Sequence, residues 1–296
     1  MIATLLRMFG GIAIAGNLLC IASTDARGSL HLFDLGEGRL ASRFEWSGED
    51  GGPSDAGGVA FDRDYNIYVA DTRNDVVRCF TAFGQPVRTY GKPHERAPGA
   101  ASRDRRGRLD RPYAVAVQGD TVYVACGDRW LVRGCQRFRR NGAALSPLES
   151  FGLAEERFGA PRGVHAGPEG VFVADTLHGV VQRFRLDGTY LARITTACGP
   201  DEVSRPVAVL PGLADDVLVL DEGDAPGLHR VSLDGRHVEP PSGRQGLERP
   251  LAMTRDGQGR VHVLDHDGER VVRLDDDLRV EHEVLKLDEF GLGPLG

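Results

Sequence analysis

The sequence predicts an all-β, six-bladed β-propeller of four-stranded antiparallel blades. Three observations predict it. A strand–turn–strand unit recurs six times, its strands are apolar on both faces, and no stretch sustains a 3.6-residue apolar period. Residues 66–80 (NIYVADTRNDVVRCF) align with residues 170–184 (GVFVADTLHGVVQRF), and the same frame recurs at 19–23, 122–126, 217–221 and 261–265. The turn position steps along as Ser23, Asp71, Cys126, Asp175, Asp221 and Asp265, at intervals of 48, 55, 49, 46 and 44 residues. Spacing of that size suits one four-stranded blade per repeat.

Each copy has a first strand upstream, beginning near residues 11, 58, 114, 163, 208 and 252. Pro112, Pro161, Pro206 and Pro250 precede four of them, where a missing N–H costs little. The small residue that follows lets neighbouring blades approach near the axis. The second strands, such as Val-Phe-Val-Ala at 171–174, are apolar throughout, as expected of strands sandwiched between adjacent blades. The blades are predicted at 9–47, 56–91, 111–152, 160–196, 205–240 and 249–286, within one domain covering 1–296. The ring closes either with a fourth strand near 279–285 or with residues 2–8 added outside the last blade.

Composition narrows the function classes. The 296 residues carry a net charge of −7, and nucleic-acid binders draw much of their affinity from basic charge, so nucleic acid is not the expected partner. Five cysteines with no CxxC pair argue against a disulfide framework or a structural zinc site and for buried thiols in a reducing compartment. Residues 1–26 read in two ways, as an export signal or as the first blade. The match of 11–14 to 58–61 and of 19–23 to 67–71 favours the blade, and with it a cytoplasmic protein. No other stretch approaches a transmembrane length.

The pattern Pro-x-Gly-Val-Ala-Val, then Asn/Gly-x-hydrophobic-Tyr-Val-Ala-Asp-Thr, then Val-x-x-Phe resembles the NHL-repeat propellers over nearly the whole chain. That group includes scaffolds, RNA-binding modules and lyases, so function must be argued from the site. The chain also resembles, distantly, the peptidyl-hydroxyglycine lyases. Those enzymes place zinc-ligating histidines where the first strand of a blade begins. The corresponding positions here are Gly10, Gly57, Tyr113, Arg162, Val207 and Leu251, and none is His, Asp or Glu. A zinc site needs about three protein ligands, so the resemblance departs from the lyase where the metal would sit.

The recurrent aspartates read as turn residues that accept backbone N–H groups. Cys126 replaces one of them as a small packing residue. His165, in a first strand, is the one weak candidate ligand, and a hydrogen-bonded core histidine is the simpler reading. His262 fills an aromatic-sized gap. The acidic turns at 221–224 and 265–269 fall short of a calcium loop. No cofactor is predicted, with zinc or calcium as the alternative. The connection from Gly91 to Arg111 holds seven basic and three acidic residues, and reads either as a solvated loop or as an anion-binding arm. Trp130, at the tip of a turn lengthened by three residues, reads either as a recognition anchor or as folded back on its blade.

The resulting expectation leans away from an enzyme. It is a non-enzymatic recognition or scaffold propeller that holds a protein or peptide partner around the central channel, with no membrane association. Arg73, Arg106, Tyr113, Trp130, Arg162, His178 and His266 are the candidate partner-binding residues. The alternatives are a metal-dependent lyase or hydrolase acting in the channel, and RNA binding through the loop 92–111.

Overall fold

The computed structural model describes residues 9–23, 28–46, 55–91, 106–127, 134–149, 158–195, 205–212, 215–223, 226–235, 238–239, 246–267 and 269–292. Short apolar runs rich in Val, Ile, Tyr and Phe, separated by glycine-bearing turns, form 24 strands among these residues. Blade one holds β1 (Phe9–Ala15), β2 (Leu18–Ser23), β3 (Ser29–Asp34) and β4 (Arg39–Glu45). Blade two holds β5 (Ala56–Phe61), β6 (Ile67–Asp71), β7 (Val76–Phe80) and β8 (Pro86–Tyr90). Blade three holds β9 (Pro112–Gln118), β10 (Thr121–Cys126), β11 (Gly134–Arg139) and β12 (Ala144–Leu148). Blade four holds β13 (Pro161–Gly167), β14 (Gly170–Asp175), β15 (Val180–Phe184) and β16 (Tyr190–Thr195). Blade five holds β17 (Pro206–Pro211), β18 (Asp216–Asp221), β19 (Gly227–Ser232) and β20 (Val238–Glu239). Blade six holds β21 (Pro250–Arg255), β22 (Val261–Asp265), β23 (Arg270–Leu274) and β24 (Val280–Lys286). Every sheet is antiparallel, with its strands hydrogen-bonded in chain order.

The core is a set of inter-blade seams. The second strands β6, β14 and β22 are buried at every residue, because both of their faces meet a neighbouring blade. Tyr68, Ala70 and Val77 of blade two pack on Val115, Val122 and Phe138 of blade three. Ile12, Leu19 and Phe33 of blade one pack on Leu251, Leu264 and Leu285 of blade six, which closes the ring. The closing blade uses its own outer strand, β24. A 3₁₀ turn at Asp288–Phe290 then carries Leu287 and Leu292 onto the same seam, with the Phe290 ring edge-on to Phe33 at 5.0 Å.

One irregularity of the first strands matters for the channel. Each begins with a break in its ladder. Pro161 pairs with Asp175 and Gly163 with Ala174, so Arg162 is an extra residue opposite no partner. The same break falls at Gly10, Tyr113, Val207 and Leu251, and across Gly57 and Gly58. A bulge of this kind turns a side chain out of the pleat, and here it does so at the mouth of the channel. In blades one and two the position must be glycine. A Cβ on Gly10 would lie 1.7 Å from the Ala56 carbonyl oxygen, and one on Gly57 would lie 2.7 Å from that of Tyr113.

Candidate functional site: the channel mouth and wall

The mouth is held in place by buried aspartate clips. Asp175 accepts hydrogen bonds from the backbone N–H groups of Gly159 and Ala160 (2.9 and 3.0 Å), from His178 Nδ1 (3.0 Å) and from Gln182 Nε2 (3.1 Å). Asp265 accepts from the N–H groups of Glu248 and Arg249, and Asp221 from those of Arg205 and Gly223. Each carboxylate thus ties the incoming connection to the end of its own blade's second strand. The adjoining Thr176 hydroxyl donates to the Pro206 carbonyl at 2.6 Å, and Thr72 to that of Pro112, linking each blade to the next. At the clip position of blade three, burial pushes the Cys126 thiol up to about 12, which makes it an inert packing residue.

Within the ring of bulged positions, only blades three and four present large polar side chains. The Arg162 guanidinium carbon lies 5.4 Å from the centroid of the Tyr113 ring, and that of Arg111 lies 5.7 Å from it. Both distances suit cation–π attraction. Arg162 also faces Glu222 of the blade-five turn at 3.8 Å, too long for a hydrogen bond. Its Nε is buried without a partner among the described residues.

Deeper on the same wall, β13 carries His165 about 10 Å along the strand from Arg162, at ~3.3 Å per residue. A two-residue turn, Pro168–Glu169, joins β13 to β14, and the Glu169 side chain folds back so that its Oε1 meets His165 Nε2 at 2.6 Å. Gly167 makes this possible, since a Cβ there would fall 2.2 Å from Glu169 Oε1. Burial pushes the Glu169 carboxyl up. The bonds from His165 and the Glu169 backbone N–H, helped by the His165 and, least, the Arg255 charges, outweigh that push and hold the carboxyl below the usual range. Arg255, from the first strand of blade six, is fixed by the Gly259 and Pro211 carbonyls at 2.7 and 2.6 Å. An ionised carboxylate accepts, so His165 Nε2 carries its proton toward Glu169, and in the neutral ring Nδ1 keeps a lone pair. His165 is half-buried.

Of the residues singled out in the sequence, Tyr113 and Arg162 come together at the mouth. Arg73 is exposed on the blade-two turn and Arg106 is exposed at the start of a described segment. His178 is engaged by the Asp175 clip, and His266 N–H donates to the Arg249 carbonyl. Trp130, Cys198 and residues 92–105 lie outside the described residues. His262 is a buried core residue whose Nε2 donates to Asp256 at 3.0 Å, in the register where Tyr68 Oη donates to Asp62 at 3.1 Å. Sequence reasoning missed Glu169 and Arg255. An acid in a tight turn four residues after a strand histidine, with glycine between, is the signal that could have found Glu169. A zinc or calcium centre does not fit the donor set: among the described residues no three His, Cys, Asp or Glu side chains converge, and the bulged ring offers none of them. No helix among the described residues is long and apolar enough to cross a membrane.

No family model and no curated protein matches the chain. Solved structures do. A streptogramin B lyase is similar with a TM-score of 0.63 at 13% identity, covering 96% of this chain and 87% of its own. A virginiamycin B lyase from Staphylococcus aureus gives 0.61 at 14%, covering 94% and 84%. The nidogen/laminin complex gives 0.62 at 17%, covering 90% and 93%. The same S. aureus lyase is known as a catalytically inactive histidine-to-alanine variant with quinupristin. At these identities the likeness shows the fold, a six-bladed propeller of the kind seen in the virginiamycin B lyases. It also corrects the expectation of a non-enzymatic scaffold. The leaning against an enzyme rested on missing zinc-ligand histidines at the mouth, and three of these four similar structures are of lyases. The absent donors remove one metal chemistry from one position and leave the rest of the channel wall open to acid–base work.

Proposed function

We propose that this chain is a lyase acting in the central channel on a peptide-derived substrate of the quinupristin kind. The observation that carries the reading is the His165–Glu169 pair on the innermost strand of blade four. A lyase needs a group that removes a proton from carbon while a bond on the neighbouring atom breaks. His165 Nδ1 takes that proton, the C–H electron pair becomes the new double bond, and the leaving atom departs with the electrons of the broken bond. Glu169 fixes the ring and its tautomer and stabilises the imidazolium as it forms, and the His165 bond, with a smaller contribution from the Arg255 charge, keeps Glu169 ionised. The likeness to the lyase propellers supports the reaction class, and the wall geometry supports the residues.

The test is turnover of quinupristin, followed by liquid chromatography, by the wild-type chain and by His165→Ala and Glu169→Gln. Wild-type turnover is expected to fall about 10²–10⁴-fold in His165→Ala, the range for losing a general base, and by less in Glu169→Gln. Quinupristin left intact by the wild type, or equal turnover by His165→Ala, overturns the proposal.

A further inference from the structure

We propose that the channel mouth is a carboxylate-binding site centred on Arg162, with Tyr113 as its apolar floor and Glu222 as an internal carboxylate holding the place of the ligand's. A guanidinium carries five N–H donors in a planar fork, and a half-buried one normally spends them on carbonyls or carboxylates. Arg255 and Arg270 do so, each with hydrogen bonds to protein oxygens. Arg162 differs. Its Nε is buried and unpartnered, as is that of Arg255, but unlike Arg255 it makes no side-chain hydrogen bond through its other donors among the described residues, and its one ion-pair contact, to Glu222, stands at 3.8 Å. Cation–π contact with Tyr113 orients the fork without consuming its donors.

The backbone supports the same conclusion. Arg162 is the bulged residue of β13, so its side chain leaves the pleat at the mouth, where four of the other five blades place Gly, Gly, Val and Leu. Arg111 shares the Tyr113 ring, adding a second positive charge beside the first. The Asp75 carboxylate accepts from the Arg111 backbone N–H at 2.7 Å, so the fork the mouth offers a ligand is that of Arg162. A planar carboxylate that accepts two parallel N–H bonds from Arg162 matches this geometry, and the Tyr113 face suits an apolar group next to that carboxylate. Because Arg162 and His165 share one strand, a ligand held at the mouth reaches down the wall toward His165. That this ligand is the substrate rests on the lyase reading; the carboxylate binding itself does not.

The experiment is titration of the full chain with N-acetylphenylalanine and, separately, with its primary amide, by isothermal calorimetry. The acid is expected to bind and the amide to bind at least about tenfold more weakly, since it lacks the charge that the fork recognises. Arg162→Gln should weaken the acid about tenfold or more with an unchanged thermal midpoint. Glu222→Gln should tighten it severalfold, because the competing internal carboxylate is gone; a purely structural Arg162–Glu222 pair would not give tighter binding. His165→Ala should leave the affinity unchanged, which separates this site from the acid–base group. Equal binding of acid and amide, an Arg162→Gln chain that binds as well as wild type, or weaker binding by Glu222→Gln would overturn the assignment. So would displacement by inorganic phosphate at lower concentration than by acetate, which would reassign the fork to phosphate.

Discussion

Removing the Asp175 carboxylate should loosen the mouth of the channel, and its cost can be worked from the bonds it holds. The side chain is wholly buried and accepts from Gly159 N, Ala160 N, His178 Nδ1 and Gln182 Nε2. In Asp175→Ala, His178 and Ala160 can turn to water, being partly exposed, whereas the Gly159 N–H and the Gln182 amide are buried and left without an acceptor. An orphaned buried donor costs ~1–3 kcal/mol, so two of them put the loss at about 2–6 kcal/mol, centred near 4. Asp175→Asn keeps one acceptor oxygen but sets an NH₂ group against the same donors, for a loss of about 2 kcal/mol. Asp221→Ala removes an acceptor from two backbone donors, at exposed Arg205 and half-buried Gly223, both of which can turn to water, and should cost about 2 kcal/mol or less. Equilibrium urea unfolding followed by far-ultraviolet circular dichroism measures all three. The predicted order of loss is Asp175→Ala, then the other two. An Asp175→Ala chain within about 1 kcal/mol of wild type would refute the view that these carboxylates clip the inter-blade connections.

Four further outcomes follow from the same geometry. Gly167→Ala should cut turnover by displacing the flexible end of Glu169 from His165 while leaving the urea midpoint close to wild type, and an unaffected rate would contradict the positioning role. Gly10→Ala should instead destabilise by more than about 2 kcal/mol, because its methyl meets the Ala56 backbone rather than a side chain; soluble, wild-type-like unfolding would contradict the close approach of blades one and two. Asp256 should supply acid-sensitive stability. Burial pushes its carboxyl up, but the bonds from His262, Arg260 and the turn N–H groups outweigh burial and hold it at about 2, so its contribution is present above about pH 4 and lost as pH falls toward 2. Burial lowers the pKa of His262, so its protonation adds loss in the same direction, and Asp256→Asn should flatten the stability profile in the acid window. Finally, Cys126, pushed up to about 12 by burial, should resist iodoacetamide at pH 8 in the folded chain and react only after unfolding, as seen by peptide mass spectrometry.

Much of the fold was legible because a propeller repeats its physics. Six doubly apolar second strands, each ending at a turn residue, specify six blades without any long-range information, and the prolines at 112, 161, 206 and 250 mark where four first strands begin. The site was less legible. Tyr113 and Arg162 could be placed at the mouth from the repeat alignment alone, since that frame fixes which position faces the channel. Their stacking and the distant Glu222 depend on how neighbouring blades meet, which no single repeat encodes. His165 was visible as an oddity among small residues, but its partner lies in a turn whose backward fold depends on Gly167. The Arg255 charge acts on Glu169 from two blades away, an influence that exists only once blades four, five and six have packed together.

The most direct measurement is the mass of the products formed from quinupristin by the purified chain. Elimination adds no atoms, so the products must sum to the mass of the substrate, with a new carbon–carbon double bond absorbing in the ultraviolet and with formation dependent on His165. Products heavier by one water would mean hydrolysis, and unaltered quinupristin would mean that the channel wall does no such chemistry.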